Sequence, residues 1–300
     1  MGKFVRLLFS VLCIFGCSTS SSKKNALVFQ SDFGLKDGAV AAMKGVAFGV
    51  SDKLRLFDIT HEIPPYNIWE ASYRLDQTAK YWPVGTVFVS VVDPGVGSER
   101  KSVVLKTKSG HYIVTPDNGT LTLVAEHLGI EEIREIDEVK NRLSNSEESY
   151  TFHGRDVYAY TGARLAAGVI SFEEVGSKLS NEIVELDYQK PLYENGVVRG
   201  NIPVLDVQYG NIWTNIDKAT FSKLNVQVGD LIHIKIYNQD EMVFNDALVF
   251  ATTFSDVPEG KTLGYLNSLL NFSVGINQGS FADRFKISSG EAWSMELIKE

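Results

Sequence analysis

Hydrophobic and polar residues follow two different patterns between residues 26 and 168. Short apolar runs such as "ALVFQS", "KLRLFDIT" and "GTVFVSVVD" have the length of buried strands. Longer segments between them, "GAVAAMKGVAFGV" and "NIWEASYRLDQTAKYW", repeat apolar residues at helical spacing, as at Trp69 and Tyr73. This order of strands and helices predicts a mostly parallel sheet covered by helices.

A hairpin and two more helices are predicted further along this half. The segment "KSVVLKTKSGHYIVTPDNG" has strand-like runs on either side of Ser109 and Gly110. A helix through "TLTLVAEHLG" is expected to end at Gly129, and another is expected to begin near "FHGRDVYAYTGARLAAG". The polar stretch "NRLSNSEES" that precedes the second helix is expected to be an exposed loop.

Beyond Pro191 the pattern changes to strand-like segments divided by Gly, Asn and Asp turns. Examples are "VVRGNIPVLDVQYGNIWTNI", "DLIHIKIYN" and "ALVFATTF". The predicted fold class is therefore α/β. It combines an N-terminal, helix-covered, mostly parallel sheet domain over 25–191 with an all-β, barrel-like C-terminal domain over 192–300.

Residues 1–24 differ from both domains. Lys3 and Arg6 precede an apolar run of about ten residues and then small polar residues, which is the pattern of an export signal. That run is shorter than the roughly twenty residues that span a bilayer. Cleavage before Cys17 would resemble a bacterial lipoprotein signal, with ordinary cleavage or a retained signal anchor as alternatives. We expect an exported, periplasmic or cell-surface protein, attached to the membrane only through a lipid on Cys17.

Composition narrows the possible functions. The formal charge of −8 and the absence of a basic stripe argue against nucleic acid as a partner. Both cysteines, Cys13 and Cys17, lie in the N-terminal segment. The predicted domains therefore contain no disulfide, no thiolate metal site and no cysteine nucleophile.

Polar residues follow several predicted strands. Asp32 follows the first strand, Asp93 the third and Asp117 the hairpin, while His153 opens a helix. Each aspartate alone is typical of a turn or a helix cap. Because ligands of open α/β sheets bind at the carboxyl ends of the strands, the combination indicates a functional site.

The motifs "SDFGLKDG", "DPGVGSER", "TPDNG", "FHGRD" and "YGNIWTNI", in this order, resemble the S-adenosylmethionine hydroxide adenosyltransferase family. The later "NSLLNFSVGINQGS" extends the resemblance from about Ala26 to the C-terminus. Relatives include the fluorinase and chlorinase enzymes. The resemblance implies hydrolysis of S-adenosylmethionine to adenosine and methionine by an activated water, with no metal or other cofactor.

The resemblance assigns the handling of this water to Asp93, Arg100 and His153. A sulfonium leaves as a neutral thioether, so only the nucleophile needs catalytic help. Gly95 and Gly97 would let the loop backbone approach a ligand closely.

Substrate contacts are also implied by the resemblance. For Tyr66, Tyr209 and Phe254, ordinary core packing is an alternative to ligand stacking. The implied contacts are Asp32 and Tyr66 at the ribose, Asp206 and Ser273 at the methionine portion, Asn211 and Phe254 at adenine, and Tyr209 in the same pocket. Relatives are trimers with sites between subunits, so a homotrimer is expected.

Departures from the halogenating relatives favour water as the nucleophile. Asp93, Val96 and Gly154 stand where halogenases carry a tyrosine, a threonine and a halide-contacting serine. Two alternatives stay open. One is an exported nucleoside-binding lipoprotein with little turnover, and the other is a metal-dependent phosphoesterase with Asp32, Asp93, Asp117 and His153 as ligands.

Overall fold

The computed structural model describes residues 25–300. Cys17 and the predicted export signal lie outside the described residues. Within 25–300, every helix is too short or too polar to cross a bilayer.

The N-terminal half is built on a six-stranded sheet. Its strand order is β2-β1-β3-β5-β4-β6, and only β4 runs against its neighbours. The strands are β1 (Ala26–Ser31), β2 (Arg55–Thr60), β3 (Val87–Val91), β4 (Ser102–Thr107), β5 (Tyr112–Pro116) and β6 (Ile130–Glu135). The predicted mostly parallel sheet is confirmed, and β4 with β5 forms the predicted hairpin.

Helices cover both faces of this sheet. They are α1 (Ala39–Val50), α2 (Ile68–Ala79), α3 (Thr122–Leu128) and α4 (Tyr160–Ala167), the last preceded by a π-helical turn at Gly154–Ala159. Alternate residues of β1 point to opposite faces, so Phe29 packs with Met43 of α1 while Val28 packs with Leu75 of α2. Burial on both faces explains why β1 and β3 are mostly apolar rather than alternating apolar and polar.

The C-terminal half consists mainly of two antiparallel sheets, with strand orders β13-β14-β10-β9 and β12-β11-β15-β8-β7. The strands are β7 (Leu192–Glu194), β8 (Val197–Asn201), β9 (Val204–Asp206), β10 (Asn211–Asp217), β11 (Leu231–Asn238), β12 (Glu241–Val249), β13 (Thr262–Leu266), β14 (Asn271–Ile276) and β15 (Trp293–Lys299). The predicted β architecture is confirmed, with two short helices added, α5 (Lys218–Ser222) and α6 (Phe281–Phe285). The boundary at residues 191 and 192 stays a prediction.

One strand departs from the sequence interpretation. β6 has the sequence "IEEIRE", whose glutamates and arginine obscure its strand character. It lies at the sheet edge, where Ile133 packs inward and the charged side chains stay outside. The helix α3 ends as predicted at Gly129, which has a φ of 68°.

Candidate active site

The loop from Asp93 to Arg100 folds back on itself at the carboxyl end of β3. Val96 N donates to Asp93 O at 3.2 Å, and two residues later Ser98 N donates to Gly95 O at 3.0 Å. Gly97 has a φ of 78°, and a Cβ there would lie 3.1 Å from a backbone oxygen of the neighbouring segment. These two successive turns bring the Arg100 side chain back onto Asp93.

A bidentate ion pair closes this loop. Arg100 Nε donates to Asp93 Oδ1 at 2.9 Å, and Arg100 Nη2 donates to Asp93 Oδ2 at 2.7 Å. The two side chains are only 11% and 5% exposed. Burial is the largest single influence on the pKa of Arg100 and would lower it, but the hydrogen bond to Asp93 and the charge interactions with Tyr158, Asp93 and Glu138 together raise that pKa. The pair is therefore a fixed charged unit with good bidentate geometry.

His153 lies between two guanidinium groups. Its Nδ1 is 2.9 Å from Arg100 Nη2, and its Nε2 is 3.0 Å from Arg142 Nη2. The residue is 4% exposed. Burial is the largest cause that lowers the pKa of His153, and the two arginines lower it further against the opposing effect of Glu138 and Asp93. The imidazole is therefore neutral at pH 7.

Tyr158 and Ser102 also contact this group and were not identified from the sequence. Tyr158 Oη lies 3.2 Å from Ser102 Oγ and donates to Asp93 Oδ2 at 3.4 Å. Ser102 Oγ accepts from Arg100 Nη1 at 3.0 Å. Ser102 follows Arg100 by two residues, and in an extended chain residues two apart point to the same side, so this spacing could have identified Ser102. Tyr158 lies in the π-helical turn Gly154–Ala159, a feature frequent at functional sites.

Arg142 was missed because it lies in a stretch predicted to be an exposed loop. The stretch is a loop, but the Arg142 side chain is only 6% exposed and donates to Glu138 Oε2 at 2.9 Å. Nothing in the polar sequence "NRLSNSEES" distinguishes this inward arginine from a solvated one.

Four of the predicted catalytic and substrate-binding residues line one cavity of about 260 Å³ beside this charged group. They are Asp32, Tyr66, Asp93 and His153. Asp32 Oδ2 accepts from Tyr66 N at 2.9 Å. The Tyr66 side chain is exposed, and its backbone has a φ of 67°, which is unfavourable for an aromatic residue. A strained turn thus holds an exposed ring at the cavity mouth.

A second cavity of about 800 Å³ lies in the C-terminal half. It is lined by Asp206, Tyr209, Asn211 and Phe254. Asn211 Nδ2 donates to Asp206 Oδ2 at 3.0 Å, while Asn211 Oδ1 is buried without a hydrogen-bond partner among the described residues. Ser273 is fully buried in β14 and does not line this cavity.

Apart from Arg100 and Ser273, which line neither cavity, the predicted catalytic and substrate-binding residues fall into two groups. The cavity beside Asp93 and the cavity beside Asn211 share no lining residue. Within one chain, the water-handling residues and the residues expected at adenine do not form one pocket.

The four residues of the metal-site alternative are not brought together either. Asp117 Oδ1 accepts from Val184 N at 2.9 Å, and Asp117 does not line the cavity that contains Asp32 and His153. Across residues 25–300, no three His, Cys, Asp or Glu side chains are grouped closely enough to hold a metal ion. This geometry disfavours the phosphoesterase alternative.

Both halves of the chain are similar to known proteins of one family. The SAM hydroxide adenosyltransferase N-terminal domain matches residues 27–176, and the C-terminal domain of the same family matches residues 200–294. The (R)-S-adenosyl-L-methionine hydrolase of Methanocaldococcus jannaschii is 40% identical over 218 residues, which are 71% of this chain and 74% of that protein. A fluorinase of Nocardia brasiliensis is 28% identical, over 91% of this chain and 97% of that protein.

Solved structures agree with the sequence matches. The crystal structure of an uncharacterized conserved protein from Thermotoga maritima has a TM-score of 0.84 and 35% identity, and covers 91% of this chain and 99% of that one. A conserved hypothetical protein from Thermus thermophilus has a TM-score of 0.68 and 28% identity, over the same shares of the two chains. Because the two matched domains together span most of the chain, the protein belongs to the SAM hydroxide adenosyltransferase family.

Proposed function

We propose that the protein hydrolyses S-adenosylmethionine to adenosine and L-methionine, with water attacking the ribose C5′. Its relatives named as (R)-S-adenosyl-L-methionine hydrolases support this activity. The observation that carries the proposal is the buried group of Asp93, Arg100 and His153 at the cavity that also contains Asp32.

In this proposal Asp93 acts on the nucleophile. Asp93 Oδ2 accepts from both Arg100 and Tyr158, whereas Oδ1 accepts only from Arg100 and keeps lone-pair capacity for a water molecule. A water that donates to Asp93 is oriented with its own lone pair toward C5′. Arg100 and the neutral His153 hold the Asp93 carboxylate and the polar groups around it in position before the substrate binds. As the C5′–oxygen bond forms, the C5′–sulfur bond breaks and its electron pair stays on sulfur, so methionine leaves as a neutral thioether. The proton that the attacking water loses passes to the Asp93 carboxylate.

Asp32 and Asn211 are proposed to hold the two ends of the nucleoside. The carboxylate of Asp32 suits the two ribose hydroxyls. Asn211 Oδ1, which has no hydrogen-bond partner within residues 25–300, suits the adenine amino group. Asp206 would contact the amino group of the methionine portion. Asp32 and Asn211 line separate cavities of one chain, which is consistent with a substrate held between the N-terminal half of one subunit and the C-terminal half of another, as the family resemblance implies.

On the family resemblance, we propose a homotrimer with the substrate between subunits. Light scattering on the purified protein checks this expectation. A stable monomer that turns over substrate at full rate would contradict it.

We expect the Tyr66 side chain to contribute to substrate binding, although its backbone conformation is strained. Replacing Tyr66 with Gly relieves the strain of the φ of 67°, which glycine adopts freely, but also removes the exposed ring. Because Gly gains more chain entropy on unfolding, the free energy of unfolding should change by less than about 1 kcal/mol. The KM for S-adenosylmethionine should rise several-fold. Urea unfolding and steady-state kinetics measure the two effects, and an unchanged KM would place the ring outside the substrate site.

Water rather than halide is the expected nucleophile. A Cβ on Gly154 would lie 3.1 Å from the Phe33 ring and 3.2 Å from Val91 Cγ1, so a serine there would need its neighbours to move. Incubation with S-adenosylmethionine and fluoride or chloride is expected to yield adenosine alone. Detection of a 5′-halogenated nucleoside by mass spectrometry would overturn this expectation.

The proposed activity is tested by incubating the purified protein with S-adenosylmethionine and quantifying adenosine and methionine by chromatography. Equal amounts of both products are expected, unaffected by a metal chelator, with little product from the His153→Ala variant. Recovery of tightly bound, unchanged S-adenosylmethionine would instead support the nucleoside-binding alternative.

Export and lipidation are separate proposals, because Cys17 lies outside the described residues. A diacylated N-terminal cysteine found by mass spectrometry of membrane fractions would support both. A soluble protein with an unmodified N-terminus would contradict them.

A further inference from the structure

Side chains of the site and its surroundings form a closed ring of polar contacts, which passes through both Arg100 and His153. Arg100 Nη1 donates to Ser102 Oγ at 3.0 Å, and Ser102 Oγ donates to Glu138 Oε1 at 2.9 Å. Arg142 Nη2 donates to Glu138 Oε2 at 2.9 Å and lies 3.0 Å from His153 Nε2. His153 Nδ1 then meets Arg100 Nη2 at 2.9 Å and closes the ring.

The two arginines limit which protonation state His153 can adopt in this ring. A neutral imidazole has one accepting nitrogen and one N–H, whereas a protonated imidazole has two N–H groups and no acceptor. Both ring nitrogens of His153 face guanidinium nitrogens. Protonation would therefore place N–H groups against two cations, which disfavours the charged form.

We propose that Arg142 and Glu138 are positioning residues, which keep His153 neutral and hold its ring against the Arg100 side chain. The functional part of this inference rests on the proposed hydrolase activity. Arg142 reaches His153 from the loop after β6, and Glu138 fixes Arg142 while also anchoring Ser102. Neither residue lines the cavity that contains Asp93, so both act through the histidine and Arg100.

The other groups around the His153 imidazole cannot take over the roles of Arg142 and Glu138. From the loop after β3 the imidazole is faced by Arg100 and Asp93, and the aromatic ring of Tyr150 meets it edge-on with centroids 6.1 Å apart. Arg142 and Glu138 complete the charged neighbours. Removing Arg142 takes away one of two cations and leaves Glu138 unpaired. Both changes favour a protonated His153.

The test is the Arg142→Met variant of the full protein, studied by NMR titration of selectively labelled histidine. The chain has five histidines, so the His153 resonances are assigned by their loss in His153→Ala. In the wild type the His153 ring should titrate below the ordinary pKa of histidine. In Arg142→Met the pKa should be higher, because a repelling cation is lost. This titration does not depend on turnover, so it stands even if the hydrolase proposal fails.

Kinetics supply the second readout. Arg142→Met should lower kcat by roughly 10- to 100-fold with a smaller change in KM, because a misplaced group costs rate more than binding. The acid limb of its kcat profile should move to higher pH, since the protonated imidazole is the inactive form. Arg142→Lys keeps the positive charge, so it should keep the low pKa and recover part of the rate.

A matched control is available in the pair of Arg134 and Glu132. Arg134 is also mostly buried, donates to its glutamate at 2.7 Å and lies over an aromatic ring, that of Phe172. Arg134→Met should lower the melting temperature without moving the His153 titration or the pH profile. An unchanged His153 pKa in Arg142→Met, or the same pKa change in Arg134→Met, would overturn the proposal.

Discussion

Replacing Asp93 with Asn is expected to lower kcat by roughly 10²-fold or more while changing KM little. The carboxylate contacts the attacking water in our proposal, whereas the ribose and adenine are held by Asp32 and Asn211. Asn keeps the shape of the side chain and one accepting oxygen, but it has no charge and cannot take a proton. Single-turnover release of adenosine measures the chemical step directly.

Glu99 provides the control for Asp93. It lies in the same loop, but its side chain is exposed. The Glu99→Gln variant should keep wild-type turnover. A raised KM with unchanged kcat in Asp93→Asn would instead make Asp93 a substrate-binding residue.

Replacing Arg100 with Met should remove both activity and a large part of the stability. The Asp93 side chain is 5% exposed, and without Arg100 its carboxylate would be buried and unpaired. Breaking a buried ion pair from one side costs about 3–5 kcal/mol, so the free energy of unfolding should fall by that amount. Urea denaturation measures this loss, and turnover should become undetectable because the Asp93 geometry depends on Arg100.

The double variant of Asp93→Asn with Arg100→Met separates the two effects. It removes both charges, so it should recover part of the lost stability but no turnover. Arg199 and Glu296 form a comparison pair at 2.7 Å that is more exposed. Arg199→Met should cost less than about 1 kcal/mol. An equal loss of unfolding free energy in Arg100→Met and Arg199→Met would show that the burial of the Asp93–Arg100 pair adds nothing to its contribution to stability.

The sequence predicted the parts of the fold that depend on local patterns. The apolar runs around Phe29 and Phe88 must be buried on both faces, which favours a covered parallel sheet. Asp93 follows such a run directly, so its place at the carboxyl edge of the sheet was predictable. His153 joins it because the helix that His153 opens packs against that sheet.

Long-range side-chain geometry could not be predicted in the same way. Arg142 turns inward because Glu138, four residues before it, and His153, eleven residues after it, both offer partners in a stretch with no helix or strand pattern. The separation of the cavities of Asp32 and Asn211 depends on how the two halves of one chain are folded. Motif order carries no information on whether two motifs meet within a chain or between chains.

The most direct test of the central claim is a single turnover of S-adenosylmethionine by excess protein in water enriched in oxygen-18. Attack of water on C5′ predicts one oxygen-18 atom in the 5′-hydroxyl of adenosine and none in methionine. Adenosine that contains only unlabelled oxygen would contradict the account, because the 5′ oxygen would then have come from the protein, as in a covalent ester of Asp93.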